Sequence, residues 1–115
     1  MKILDPIPMA DVVALSGVRY AFSIDRVEIG TAVVLSSKFT PHRVELWSME
    51  VYPEHRRRGH AERILRRLEE WVRPGREIWL RVDRTNVVAI ALYRKLGYEV
   101  SAEREEDLEM IKRLD

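Results

Sequence analysis

One change of period, in the middle of the chain, constrains the fold more than any other feature. Residues 44–51, Val-Glu-Leu-Trp-Ser-Met-Glu-Val, favour a strand, and Pro53 ends it. Beyond it the apolar positions switch to helical spacing. Ala61, Ile64, Leu65, Leu68, Trp71 and Val72 share one stripe, while Glu62, Arg63, Arg66, Arg67, Glu69 and Glu70 fill the other face. Pro74-Gly75 stops that helix. Ile78-Trp79-Leu80-Arg81-Val82 then resumes a strand with both faces mostly apolar, as for an interior position. A strand–helix–strand unit at the centre implies a mixed sheet with helices on its faces.

The flanking segments extend that sheet. Residues 18–24 and 27–35 are two β-rich runs, and Asp25-Arg26 between them predicts a tight hairpin. With 44–51 they form an antiparallel meander. Residues 8–15 are expected to form a short helix ahead of it, with Gly17 beyond its end. Asn86 is placed to cap a second helix over 87–96, closed by Gly97. Residues 98–102 and 108–114 make a last hairpin around the acidic loop Glu103-Arg104-Glu105-Glu106-Asp107. The expected class is α/β, a mixed and largely antiparallel sheet flanked by helices, in the order β-β-β-α-β-α-β-β. At 115 residues, with no linker or repeat, a single domain over 1–115 is expected.

Charge is balanced overall at +1, which rules out a strongly polyanionic or polycationic surface as the main theme. It is unevenly spread: residues 54–84 hold ten basic and six acidic side chains, whereas 1–53 hold five and six. Zero Cys excludes a disulfide scaffold, a thiolate zinc site and a Cys nucleophile, and no metal is expected. No apolar run approaches the roughly 18 residues of a membrane span. The first residues show neither a long apolar region nor a small-residue cleavage site, so a cytoplasmic location and no membrane partner are expected.

The positive excess begins where a strand meets a helix start, at Glu54-His55-Arg56-Arg57-Arg58-Gly59-His60-Ala61. The first N–H groups of a helix lack intrahelical partners, and the dipole adds about half a positive charge there. A glycine lets an anion approach the backbone, and three arginines stand beside it. These are the parts of a pyrophosphate cradle; a solvated basic loop capping a helix has the same residues. Nucleic-acid phosphates are a third reading of the arginines, disfavoured because aromatic interleaving for base stacking is absent.

A second constellation follows about 25 residues on. Asn86-x-x-Ala89-x-x-Leu92-Tyr93-x-Lys95-Leu96-Gly97-Tyr98, taken with Arg56-x-x-Gly59-x-Ala61, resembles the GNAT superfamily of acetyl-CoA-dependent N-acetyltransferases. The resemblance runs from about residue 44 to 98. It implies that Met49, Glu50 and Val51 offer main-chain groups to the pantetheine arm and thioester of acetyl-CoA, and that Arg56, Arg57, Arg58, Gly59, His60 and Ala61 hold the pyrophosphate. Asn86 would bond the pantetheine region, and Tyr93 would stand near the sulfur as general acid. The residues alone read Asn86 as a plain N-cap and Tyr93 as a core aromatic.

The implied reaction is transfer of an acyl group, acetyl first of all, to a primary amine by direct attack in a ternary complex. A lysine-type amine with a pKa of about 10.4 is only about one part in 10³ neutral at pH 7, so a base must take its proton. One branch of the family places a Glu where this chain has Arg81, and Arg cannot serve. Another branch keeps a Glu on the meander's third strand, and Glu45 falls in that register; Glu50, His55, His42 and a water chain are alternatives. Few residues precede the meander, so the acceptor side is expected to be open or completed by a second subunit of a homodimer. An open side suits a protein amine better than a small molecule, although both acceptor kinds remain. The alternative to an enzyme is a GNAT-fold module that binds CoA or a partner without catalysis.

Overall fold

A computed structural model describes residues 7–13, 17–36 and 41–115. Seven strands form one sheet: β1 Ile7–Val13, β2 Gly17–Ile24, β3 Val27–Ser36, β4 Arg43–Val51, β5 Glu77–Asp83, β6 Glu99–Glu103 and β7 Asp107–Arg113. Their order across the sheet is β1-β2-β3-β4-β5-β7-β6. Among the described strands only β4 and β5 run parallel, joined by helix α1 His60–Val72; helix α2 Val87–Lys95 links β5 to β6. The class is the expected mixed, largely antiparallel α/β sheet.

The front differs from expectation. The segment read as a helix over 8–15 is strand β1 as far as Val13, antiparallel to β2 with Pro8 opposite Tyr20; residues 14 and 15 lie outside the described residues. Pro8 lacks an N–H and suits an edge strand, and Val12-Val13 favour extended backbone. The meander's open edge therefore decides against the helix, and the order becomes β-β-β-β-α-β-α-β-β.

Local signals elsewhere act as read. Asp25 and Arg26 both take left-handed backbone (φ 51° and 69°), the conformation of a two-residue hairpin matched to strand twist. Asn86 caps α2 by accepting from the Ala89 N–H at 3.2 Å, and Gly97 ends that helix at φ 96°.

Both helices pack on one face of the sheet, over a core of Val44, Leu46, Ile78, Leu80, Val82, Leu108 and Met110. Helix α1 contributes Ile64, Leu65, Leu68 and Val72, and α2 contributes Tyr93, followed by Leu96 and Tyr98. Lys95 pairs with Glu62 at 2.8 Å, tying the helices together. Two stripe positions are less buried than expected: Ala61 is half-covered, and Trp71 stays partly exposed with its ring edge-on to Tyr20 at 4.9 Å. Glu69, read as solvent-facing, is buried. It accepts from the Tyr98 hydroxyl at 3.0 Å and from Lys112 at 2.9 Å, so terminal strand β7 supplies the charge that makes its burial affordable.

The feature that shapes the molecule is a splay. Strands β4 and β5 pair only from Arg43/Glu77 to Leu46/Leu80. On its other side β4 has a bulge against β3, where Val34 opposes Leu46 and Val33 opposes Ser48, leaving Trp47 unmatched. The extra residue bends β4. Past Leu46 and Leu80 the two strands part, and a wedge opens between them. Among the described residues no helix is long and apolar enough to cross a membrane.

Candidate active site

The wedge leads to two cavities. The larger, about 730 Å³, has Met49, Glu50 and Val51 of β4 on one wall and the turn from His55 to Ala61 at one end. Asn86, Val88, Ala89, Leu92 and Tyr93 close it from the α2 side. The smaller, about 220 Å³, is a slot between residues 46–49 of β4 and 80–83 of β5. Met49, Asn86 and Tyr93 line both.

The end wall is built by backbone conformation. After Pro53–His55, a single 3₁₀ turn, Arg57 and Gly59 both adopt left-handed backbone (φ 64° and 76°), and Gly59 is the N-cap of α1. No side chain caps this helix, so its first N–H groups are free to take an anion. Arg56 Nε donates to the Val51 carbonyl at 2.9 Å. Arg63, which the sequence reading left on the solvent face, reaches back to the Arg58 carbonyl at 2.5 Å and to His60 Nδ1 at 3.1 Å. The signal for Arg63 was its spacing: four residues after Gly59, it lies over the first turn. His60 is buried; burial, and then the charges of Arg63, His55 and Arg58, hold its pKa below the usual histidine value. It is therefore neutral at pH 7, and the positive charge at this end of the cavity comes from the arginines and the helix start.

Tyr93 sits where the two cavities meet. It is 8% exposed, its ring 5.7 Å from that of Tyr98, and burial pushes its pKa above the ordinary tyrosine value. Its phenol is protonated across the neutral range and able to donate. The Asn86 side-chain oxygen is engaged in the helix cap, and the side chain also borders both cavities.

Of the residues singled out from the sequence, the large cavity thus gathers Met49, Glu50, Val51, Arg56, Arg57, Gly59, His60, Ala61, Asn86 and Tyr93, and also His55. It does not gather Arg58 or Glu45. Glu45 is half-buried on the sheet face opposite the helices, beside Trp79 in register. Burial raises its pKa above the usual carboxylate value, the Arg81 charge opposing and the Glu109 charge adding to the rise. His42 lies elsewhere, in a recess with Gly75, Arg76, Glu77 and Arg113. In the acidic loop Arg104 binds Asp107 at 3.1 Å and Glu109 at 3.0 Å, leaving Glu105 and Glu106 to solvent.

An uncapped helix start among arginines, a long cavity and a polar slot meeting at a buried phenol suit an extended phosphorylated thioester and a second reactant. A family model described as the acetyltransferase (GNAT) family matches residues 15–98. No curated protein sequence matches. Among solved structures, a PaiA N-acetyltransferase from Thermoplasma acidophilum in complex with coenzyme A is 23% identical, at a TM-score of 0.73. That similarity covers 86% of this chain, which spans 62% of the other's length. The spermidine/spermine N-acetyltransferase SpeG from Vibrio cholerae is 18% identical (TM-score 0.75), over 86% of this chain and 68% of that one. The ribosomal-protein-S18-alanine N-acetyltransferase from Escherichia coli is 21% identical (TM-score 0.71), over 83% and 67%.

Proposed function

This chain belongs to the acetyltransferase (GNAT) family, and we propose that it transfers an acetyl group from acetyl-CoA to a primary amine, of a protein or a small molecule. The observation that carries the reading is the meeting of an anion cradle and a polar slot at one buried phenol. The residues present fit the donor: the free N–H groups after Gly59, with Arg56 and Arg57 beside them, would hold the pyrophosphate, and the edge of β4 at Met49, Glu50 and Val51 would run beside the pantetheine arm. The amine would enter through the slot. Its nitrogen attacks the thioester carbon, the C–S bond breaks, and Tyr93 gives its proton to the leaving sulfur. With no Cys, the transfer is direct. The amine's own proton leaves to Glu45, by way of water, since Glu45 borders neither cavity. A cytoplasmic location goes with this reading.

One observation favours a second reading, a module that binds CoA without catalysis: Arg81 stands beside the slot where one branch of the family carries its basic Glu. Two measurements separate them. Calorimetry with acetyl-CoA is expected to give one site per chain, and release of CoA thiol on adding a mixed panel of amines is expected to exceed hydrolysis without amine. Binding with no amine-dependent release would favour the second reading, and no binding would remove both.

A further inference from the structure

Two charged residues, Arg81 and Asp83, line the slot between β4 and β5. Asp83 is already engaged, accepting from the Thr85 N–H at 2.8 Å and the Thr85 hydroxyl at 2.7 Å. Arg81 is not. Among the described residues its guanidinium lies within 4 Å of no carboxylate and makes no hydrogen bond, and its fixed neighbour is the Trp79 ring, 5.3 Å below. Two other arginines are committed: Arg43 of β4 binds Glu77 at 2.9 Å, and Arg104 of the β6–β7 loop takes Glu109, the residue opposite Arg81 in β7. An exposed guanidinium, steadied on an indole beside a reactant cavity, with Glu45 acting on it through space but not hydrogen-bonded to it, keeps its donor fork open to a ligand.

We propose that the acceptor is an amine that also carries a carboxylate, as a free amino acid or a chain-terminal residue does, and that Arg81 holds this carboxylate through a bidentate pair. The inference rests on the transferase reading and deepens it by naming the acceptor class. It explains why an arginine in this position is compatible with activity: Arg81 takes no part in proton transfer and instead orients the substrate.

The test is a comparison of matched acceptors: free amino acids, the corresponding carboxamides and the corresponding decarboxylated amines, each followed by CoA-thiol release at saturating acetyl-CoA. The parent chain is expected to favour the carboxylate members by about 10- to 100-fold in kcat/KM, mostly through KM, the range for a charge-assisted bidentate contact. Arg81→Gln is expected to bring carboxylate and carboxamide within about threefold of each other. Arg81→Lys, which keeps the charge and loses the fork, falls between. Arg81 is exposed, so the variants fold, and calorimetry with acetyl-CoA confirms an intact donor site. Equal use of carboxamides by the parent, preference for the decarboxylated amines, or a carboxylate preference that survives Arg81→Gln would each overturn the inference while leaving the transferase standing. Acetyl-CoA binding with no release by any acceptor would overturn the transferase reading and the inference with it.

Discussion

Replacing Gly59 separates the backbone's role in the cradle from its charge. At φ 76° the residue sits in left-handed backbone, which costs an L-amino acid about 1–2 kcal/mol. Space is not the obstacle, because a Cβ there would meet Arg63 Nη1 at 3.6 Å, an ordinary contact. Gly59→Ala should therefore lower the melting temperature by about 4–8 °C, taking about 4 °C per kcal/mol for a domain of this length. Gly59→Glu carries the same strain and sets a carboxylate against the bound pyrophosphate. At about 5 Å and an effective dielectric constant of about 20, each charge pair repels by about 3 kcal/mol, roughly halved here because the loop is exposed. Acetyl-CoA affinity should fall about 10- to 100-fold in Gly59→Glu relative to Gly59→Ala, and the gap should narrow as salt is raised. Melting curves without ligand and calorimetry with acetyl-CoA read the two effects separately. If the variants melt alike and also bind alike, no anion lies at this helix start and the cradle assignment is wrong.

Three further outcomes are expected. Tyr93→Phe keeps the ring and its packing, so acetyl-CoA affinity should hold while kcat drops about 10²-fold; because burial holds the Tyr93 pKa above 10, the parent rate should not decline between pH 7 and 9.5 through this group. Glu45→Gln should be slow at pH 7 and recover towards pH 9.5 as the amine loses its own proton, a step worth about 4.6 kcal/mol at neutrality for a lysine-type amine; a pH–rate profile overlaying the parent's would move the base to Glu50, His55 or water. For His60 the folded pKa lies below the ordinary 6.5, so the unfolded chain protonates first on acidification. Its contribution to stability is present above pH 6.5 and lost as pH falls towards the folded value. Melting temperatures of parent and His60→Gln between pH 7 and 5 should converge, and parallel curves would show that His60 is not held neutral.

What was legible in the sequence was what short-range chemistry controls. The α1 stripe, the Asn86 cap, the Gly97 stop and the Asp25-Arg26 hairpin each depend on residues within a turn or two of one another. Strand β1 was not legible, because Pro8 and Asp11 break its strand pattern and only the free edge of β2 makes it extended. Glu69 was misplaced for a related reason: its partners Tyr98 and Lys112 are 29 and 43 residues away in sequence. Within the site, the helix start and Tyr93 were visible as motif positions. The slot was not, since it arises from a bulge at Trp47 and the parting of two strands, neither of which leaves a local pattern. Arg63 and Arg81 follow from the same limit: what each touches is set by tertiary placement.

The most direct test of the whole account is a crystal structure with acetyl-CoA bound. The pyrophosphate should lie against the N–H groups that follow Gly59, and the thioester should lie between β4 and β5 past Leu46 and Leu80, with its sulfur within hydrogen-bond reach of the Tyr93 hydroxyl. Acetyl-CoA bound elsewhere, or bound with its sulfur remote from Tyr93, would contradict it.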